Sequence, residues 1–449
     1  MPEDRPSLEA LIDQVGRLMV DAGLDEHDDD VIRNAAEDVA HLVEAVDGRR
    51  PPDTATAPLP KATYTKEDID RLNRAAETYF QGMEDTSFVL NKPMSGIFDP
   101  PILLYRFSVL LASLEIGFHT VLDFGAGSCW VSSLLNRMGC RTIALDVSET
   151  ALRLGRRLFE LDRRHRMEVD PQFLVFDGYT FPLQDESIDR IICFDAFHHV
   201  PNQEDILREM YRVLKWGGKA GFSEPGLEHS KAPMSVYEVE THGVLERDVD
   251  LDEFIGMVRA IGFDDVLIKP YPPPEGIAFS VAQYREFVNG ADEVFPLNVV
   301  REDLKLSTNV ILQKGEPKWD TRRPRVLSAL LTTGESATLR LKAGQGYTLR
   351  VSATNLGDTI WLKEPNAVGG FVTVGARLHN EAKKPVEMEY GRAHLSADVH
   401  PGEMQSVEVD LVAPIEKGVY HVELDMICER ICWFAQRGSH TLWERIEVL

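Results

Sequence analysis

The sequence predicts an α/β protein built on a doubly wound parallel sheet, with a helical segment before the sheet and an all-β sandwich domain after it. Apolar residues recur at helical spacing within the first 50 residues. From about residue 119, short β-branched runs alternate with helical stretches, which is typical of a parallel α/β sheet. Beyond residue 325, short alternating strands separated by turn signals replace the helical period, as in a β-sandwich.

These changes of pattern set the expected domain boundaries. Residues 1–62 are predicted to form a helical hairpin and a proline-rich linker, residues 63–315 the sheet domain, and residues 325–449 the sandwich. Within the sheet domain, we expect the proline-rich insertion at 270–305 to act as a lid. The apolar stripe on the acidic hairpin has to be covered, and a homodimer through the N-terminal helices would cover it.

Charge and composition exclude several classes of function. The chain has 449 residues with 48 basic and 73 acidic side chains, a net charge of −25, which would repel a nucleic-acid backbone. It contains no apolar run long enough to be a transmembrane segment, and its first residues, MPEDRPSLEA, do not resemble a signal peptide. Its five cysteines are too scattered for a disulfide framework. We therefore expect a cytoplasmic protein that does not bind nucleic acid.

The elements can be placed along the chain from periodicity and capping residues. A helix capped by Thr65 carries an apolar stripe from Ile69 to Phe80. Two late runs are expected to pair antiparallel at one edge of the sheet, at 265–269 and 308–313. The five preceding strands are predicted at 120–124, 142–146, 172–176, 190–194 and 219–223.

The motif that carries the chemistry lies where the first strand runs into a glycine turn and then a helix. In the segment VLDFGAGSCW, Gly125 and Gly127 allow the backbone to turn sharply and to approach a ligand, while the helix start supplies free N–H groups. The second strand ends in Asp146, where a carboxylate can accept both hydroxyls of a ribose. A nucleoside-bearing cofactor is therefore expected at this turn.

Two cofactors are compatible with such a turn, a dinucleotide and S-adenosylmethionine. The dinucleotide motif requires a third glycine, and the sequence has Trp130 at that position. Asp123, inside the strand, would place a negative charge near a pyrophosphate, whereas an acid suits a ligand that carries an ammonium and a sulfonium. We therefore favour S-adenosylmethionine.

From about residue 104 to residue 315, the sequence resembles the class I S-adenosylmethionine-dependent methyltransferases. The first family motif corresponds to VLDFGAGS, with a cysteine at the third glycine position. The segments IICFDAFHHVP and RVLKWGGK correspond to the fourth strand and to the approach to the fifth, with a tryptophan in place of the usual proline. The resemblance implies a Rossmann-like methyltransferase sheet. It also implies these cofactor-binding residues: Asp123, Gly125, Ala126, Gly127, Asp146, Val147, Asp177, Gly178 and Asp195.

Transfer to a hydroxyl group requires a base for the departing proton, and a neutral histidine suits that role. His198 and His199 follow the fourth strand at the end of the sheet where ligands gather, so we predict that one of them is the base. Glu224, at the end of the fifth strand, and His229 could orient that base or the acceptor. Either histidine could instead only pack or cap the next helix. We place no metal at the site, although magnesium assists some sugar methyltransferases.

The C-terminal segment resembles the immunoglobulin-like sandwiches found beside glycosyltransferases and sugar-modifying enzymes, through segments such as NLGDTIW and ICWF. Trp361 and Trp433 could stack on sugar rings or pack between the sheets. By this analogy we predict O-methylation of a saccharide or a surface-glycan precursor. The alternatives are a methyltransferase for another small molecule, such as a phenol or specialised metabolite, and a non-catalytic protein that binds glycans or scaffolds a complex.

Overall fold

The structure is a computed structural model that describes residues 64–96, 99–272, 276–334 and 338–449. The predicted hairpin, the linker before residue 63 and any homodimer formed through that hairpin lie outside the described residues. No helix in the described ranges is both long enough and apolar enough to cross a membrane.

A seven-stranded sheet forms the centre of the first half of the described chain. Its order is β3-β2-β1-β4-β5-β7-β6; β7 runs antiparallel to β5 and β6, and the other pairs are parallel. This confirms the predicted doubly wound sheet, including the antiparallel pair at its edge. The strands are β1 (Thr120–Phe124), β2 (Arg141–Asp146), β3 (Gln172–Val175), β4 (Ile188–Phe194), β5 (Leu214–Pro225), β6 (Asp265–Ile268) and β7 (Ser307–Gln313).

Helices surround this sheet and supply the walls of its crevice. The first has the predicted cap: Thr65 accepts from the backbone of Asp68, whose side chain accepts from the backbone of Thr65. The predicted insertion at 270–305 contains most of the last two helices. The helices are α1 (Lys66–Gln81), α2 (Ser87–Asn91), α3 (Asp99–Ser113), α4 (Trp130–Arg137), α5 (Glu149–Leu161), α6 (Gln203–Val213), α7 (Pro233–His242), α8 (Leu251–Ile261), α9 (Val281–Val288) and α10 (Leu297–Leu306).

Apolar side chains pack against both faces of the sheet. Successive residues of a strand point to opposite faces, so Ile191 and Ile192 of β4 belong to different cores. Ile191 packs in the core that contains Phe222 and Phe254, whereas Ile192 packs in the core that contains Leu110 of α3. All seven residues of β4 are buried. Its last four residues, Ile191–Phe194, form a continuous apolar run, as expected of a strand covered by helices on both sides.

The chain beyond the seven-stranded sheet is rich in strands. Most belong to two sheets, ordered β15-β11-β9 and β10-β18-β16-β13-β14, which contribute to one shared hydrophobic core. These strands are β8 (Trp319–Asp320), β9 (Ala329–Thr333), β10 (Leu339–Leu341), β11 (Gly346–Asn355), β12 (Thr359–Ile360), β13 (Val372–Asn380), β14 (Pro385–His394), β15 (Met404–Val412), β16 (Gly418–Cys428), β17 (Cys432–Trp433) and β18 (Leu442–Val448).

The two tryptophans considered as sugar platforms have protein partners. Trp361 is completely buried, and its ring forms a T-shaped pair with the ring of Phe434, so Trp361 packs in the core and is not a sugar platform. The ring of Trp433 is partly exposed, but the guanidinium of Arg377 lies 3.6 Å from its centroid. Arg377 therefore covers a face on which a sugar could otherwise stack.

A buried ion pair attaches the segment before the C-terminal sheets to the start of β4. The guanidinium of Arg322 donates to both carboxylate oxygens of Asp189, at 2.6 and 2.9 Å, and Lys215 contacts the same carboxylate at 2.8 Å. Burial alone would raise the pKa of the Asp189 carboxyl, but the charge and hydrogen bonds of Arg322 outweigh burial and hold that pKa well below its usual range. Arg322, which lies between the predicted sheet domain and the predicted sandwich, is thus bonded directly to the sheet.

We expect Asp189→Asn to lower the free energy of unfolding by about 1.5–3 kcal/mol, because it removes one of the two carboxylates, Asp189 and Asp320, that bond to the buried guanidinium of Arg322. Chemical denaturation followed by circular dichroism measures the change. Glu408→Gln is the matched control, since the Arg350–Glu408 pair is exposed and should contribute little. Equal stabilities of the two variants would contradict the structural importance of the buried pair.

Candidate active site

The turn between β1 and α4 is shaped by two glycines with positive φ angles. Gly125 has φ 66° and Gly127 has φ 50°, a region that favours glycine. A Cβ at Gly125 would also collide with the Cβ of Ala196, which follows β4. The backbone therefore reaches the switch point between β1 and β4, where the strand order reverses and ligands of α/β sheets bind.

Asp146, at the end of β2, closes this turn. One carboxylate oxygen accepts from the N–H of Gly127 at 2.8 Å and the other accepts from the N–H of Ser148 at 2.8 Å. Burial raises the pKa of the Asp146 carboxyl above its usual value, while these backbone donors act in the opposite direction. The carboxylate thus fixes the position of the glycine turn as well as bordering the space above it.

A cavity of about 350 Å³, called the first cavity below, lies above the glycine turn. Tyr79 and Phe80 of α1 also line this cavity. Seven of the nine predicted cofactor-binding residues line it, namely Gly125, Ala126, Gly127, Asp146, Val147, Gly178 and Asp195. The structure therefore brings together residues from the ends of β1, β2 and β4 and from the turn after β3.

The other two predicted cofactor ligands direct their carboxylates to the protein itself. Asp123 is buried and accepts from the N–H and hydroxyl of Ser132 at 2.9 and 2.7 Å, and burial raises its pKa to about 7. Asp177 is exposed and accepts from the N–H groups of Tyr179 and Thr180 at 2.8 and 2.9 Å, so it stabilises a turn. Neither residue is among the described residues that line the first cavity.

Arg106 is a site residue that the sequence analysis missed. It extends from α3 and donates to both oxygens of Asp195, at 2.6 and 3.1 Å, and also to the hydroxyl of Ser223 at 2.9 Å. Asp195 has φ 47°, an uncommon conformation for a residue with a side chain. The sequence does contain a signal for this residue, since Arg106 is the single arginine among the apolar residues of α3. A guanidinium buried with such a helix needs a carboxylate partner.

A second cavity, of about 670 Å³, adjoins the first. Tyr271, Asp303 and Leu306, from the insertion and the end of α10, contribute to its lining, as does Arg106. The two cavities have five lining residues in common, which are Lys92, Asp195, His199, Glu238 and Glu246. The two cavities are therefore adjacent, and these five side chains form the wall between them.

Glu224 and His198 form a buried pair on the wall of the second cavity. The Glu224 carboxylate accepts from His198 Nδ1 at 2.8 Å and from the N–H of Ala196 at 3.0 Å. Burial alone would raise the pKa of Glu224, but His198 and the backbone donors outweigh burial and lower it. Burial likewise opposes protonation of His198, but Glu224 raises the pKa of the imidazole above its usual value. The two predicted residues are thus brought together.

His199 and two further side chains extend this arrangement. His199 Nδ1 lies 2.5 Å from the carbonyl oxygen of Leu245 and 3.5 Å from Glu246 Oε1, and the other Glu246 oxygen lies 2.7 Å from His229 Nε2. The side chain of His199 is 44% exposed, and its ring centroid lies 3.9 Å from that of His198, which disfavours a second positive charge there. We call His198, His199, His229, Glu224 and Glu246 the histidine–carboxylate cluster.

Glu246 could not be assigned from the sequence, because it lies in the segment between α7 and α8 without any motif. It is nevertheless central to the cluster, since one of its oxygens and one nitrogen of each imidazole of His198 and His199 lie within 4.8 Å of one another. Within the described part of the chain, these three residues form a group whose ligand atoms lie close enough together to hold a metal ion.

Comparison with known proteins matches the part of the chain that contains the glycine turn and the central strands. Residues 122–222 match the family model described as a methyltransferase domain. Methyltransferase GfsG of Streptomyces halstedii is 27% identical over 153 residues, which are 32% of this chain and 53% of that protein. Sarcosine/dimethylglycine N-methyltransferase of Halorhodospira halochloris is 29% identical over 157 residues, which are 34% of this chain and 53% of that protein. The chain therefore spans about half the length of these relatives.

Among solved structures, an S-adenosylmethionine-dependent methyltransferase from Mesorhizobium loti is similar over 46% of this chain and 96% of its own, with 17% identity and a TM-score of 0.35. The matched family model, together with the strand order and the glycine turn described above, identifies the seven-stranded half of this chain as a class I, S-adenosylmethionine-dependent methyltransferase domain.

Proposed function

We propose that this protein transfers a methyl group from S-adenosylmethionine to a hydroxyl of a neutral, polyhydroxylated small molecule, such as a saccharide or glycan precursor. The observation that carries the proposal is the wall shared by the two cavities. The first cavity contains the residues predicted to hold the donor, and the second contains the histidine–carboxylate cluster. A methyl group directed toward this wall would meet an acceptor in the second cavity.

The chemistry requires the acceptor oxygen to form a bond to the methyl carbon while the bond from that carbon to sulfur breaks. The sulfonium becomes a neutral thioether, and the hydroxyl proton has to be removed. Positioning contributes most to such a displacement, with the reacting atoms about 3 to 3.5 Å apart. We assign removal of the proton to the histidine–carboxylate cluster, with His198 and His199 as the candidate catalytic residues and Glu224 as a positioning residue.

The lining of the second cavity supports a polar acceptor. Fourteen of its nineteen described lining residues are polar or charged. Five of them are carboxylates, whereas Lys92 and Arg106 are the two lysine or arginine residues among them, and Arg106 is already paired with Asp195. This excess of negative charge disfavours phosphorylated acceptors. A neutral molecule with several hydroxyls would satisfy these donors and acceptors better than an apolar phenol.

A second candidate is N-methylation of an amine, which the five carboxylates of the second cavity also favour. One of the relatives, the sarcosine/dimethylglycine N-methyltransferase, is named for that type of reaction. A phenol or an apolar specialised metabolite as the acceptor would pack on Ile102, Met234 and Leu306 but would bond to fewer of the polar side chains. A non-catalytic role in glycan binding or scaffolding would leave the glycine turn and Asp146 without a function.

An acceptor panel separates these possibilities. We expect the full chain, supplied with methyl-labelled S-adenosylmethionine, to label neutral glycosides in preference to nucleotide sugars, phenols and small amines, as measured by mass spectrometry of the products. Label confined to phenols or to amines would contradict the carbohydrate proposal, and retention of bound donor without any transfer would favour a non-catalytic role.

Asp146→Ala should weaken binding of S-adenosylmethionine by about 10- to 100-fold, because it removes charge-assisted hydrogen bonds to the glycine turn as well as a predicted ligand contact. Isothermal titration calorimetry measures the change. The control is Asp185→Ala, because the Asp185 carboxylate is exposed and pairs with Arg212. Unchanged affinity in Asp146→Ala would show that the donor does not bind above this turn.

His198→Gln should lower kcat by about 100-fold or more while leaving the dissociation constant of the donor unchanged, since proton removal at this position contributes to the chemical step. His198 lines the second cavity but not the first. His400→Gln, at an exposed position in the C-terminal region, is the control. A parallel loss of donor binding and melting temperature would instead assign His198 a purely structural role.

A further inference from the structure

His198 and His199 each have one ring nitrogen already bonded to an acceptor. His198 Nδ1 lies 2.8 Å from the Glu224 carboxylate, and His199 Nδ1 lies 2.5 Å from the carbonyl oxygen of Leu245. An imidazole nitrogen beside such an acceptor carries the proton, so the Nε2 atom of each neutral ring keeps its lone pair. Both rings are thus fixed in the tautomer that can bind a cation through Nε2.

Glu246 supplies a carboxylate next to both rings. One of its oxygens lies 3.7 Å from His198 Nε2, and the other lies 3.5 Å from His199 Nδ1. One ligand atom from each of the three residues can be chosen so that all lie within 4.8 Å of one another. Ligand atoms bound at about 2.0–2.2 Å to one ion are about 3 to 4 Å apart, so small side-chain adjustments would bring these three to a common centre.

The groups around the three residues match the outer shell of a metal site. Metal-binding imidazoles usually donate their other N–H to a carboxylate or a backbone carbonyl, which fixes the ring and makes its nitrogen a better ligand. Glu224 does this for His198 and Leu245 for His199, while His229 contacts Glu246 at 2.7 Å.

We infer that His198, His199 and Glu246 form a binding site for a divalent first-row transition-metal ion such as Zn²⁺, Co²⁺ or Mn²⁺. Two imidazoles and one carboxylate suit these ions better than Mg²⁺ or Ca²⁺, which prefer oxygen ligands. The three protein ligands leave coordination positions for water or substrate. This inference departs from the expectation of a metal-free site.

The role of the ion rests on the proposed function. His199 and Glu246 line both cavities, so an ion held there would lie on the wall between donor and acceptor. In the metal-bound protein, the lone pairs of both histidines would bind the ion and could not accept a proton. An acceptor hydroxyl that displaces a coordinated water would become more acidic and release its proton to water in the cavity, as its oxygen attacks the methyl carbon and the bond to sulfur breaks. A neighbouring hydroxyl of the same acceptor could occupy a second open position, which favours vicinal diols.

The test uses the full chain, stripped of metal with a chelator and titrated with Co²⁺ as a spectroscopic probe. We expect saturable visible absorption that Zn²⁺ abolishes by competition. Glu224→Gln, which alters only the outer shell, should weaken Co²⁺ binding by about 10- to 100-fold, and Glu246→Gln should weaken it more. His400→Asn is the control and should bind Co²⁺ like the unaltered chain. Melting temperatures verify that each variant is folded.

Failure of this inference can be distinguished from failure of the proposed function. A metal-stripped protein that shows no Co²⁺ absorption, yet binds S-adenosylmethionine and transfers methyl groups at full rate, would overturn the metal site and leave direct proton removal by an imidazole. Equal Co²⁺ affinity in Glu246→Gln and the unaltered chain would likewise overturn it. Tight Co²⁺ binding lost in Glu246→Gln, with no methyl transfer to any acceptor, would support the site and contradict the proposed reaction.

Discussion

The buried hydrogen bonds of Glu224 are the constraint on which the site depends. A carboxylate that is completely removed from water is unfavourable unless donors surround it. Here the donors come from the segment that follows β4, through the backbone of Ala196 and the ring of His198. Because these bonds must form for the carboxylate to remain charged, the ends of β4 and β5 are fixed relative to each other, and His198 is fixed with them.

A comparable constraint acts on the first cavity, which contains most of the predicted cofactor-binding residues. The absence of a side chain at Gly125 lets the turn after β1 approach Ala196, and the carboxylate of Asp146 holds the same turn through Gly127. Arg106 then fixes Asp195, the residue between the two regions. The walls of both cavities are therefore defined by a small number of buried polar contacts and one close backbone contact. Such contacts have little freedom to rearrange, which suits a reaction that depends on positioning.

The C-terminal region is attached at the other end of the sheet. Asp189 and Lys215 lie near the starts of β4 and β5, and Arg322 contacts the Asp189 carboxylate there. The cavities lie at the opposite ends of these strands, so this attachment leaves the crevice accessible. The sheets of the C-terminal region can thus contribute to stability or to recognition of a partner without occupying the catalytic crevice.

The sequence by itself determined the strands of the seven-stranded sheet, its antiparallel edge pair, the glycine turn and the acid at Asp146. These features follow from local periodicity and from short motifs, in which neighbouring residues specify the backbone. The tertiary structure alone decided that Arg106 meets Asp195, that Glu246 joins the two histidines, that Trp361 is buried, and that Asp123 and Asp177 bond to nearby protein groups. The first three depend on contacts between residues that are far apart in sequence, and such contacts are set by how helices and loops pack around the sheet. The two acids bond to groups that are closer along the chain, Asp177 within its own turn, and the motif alone did not fix the direction of either carboxylate.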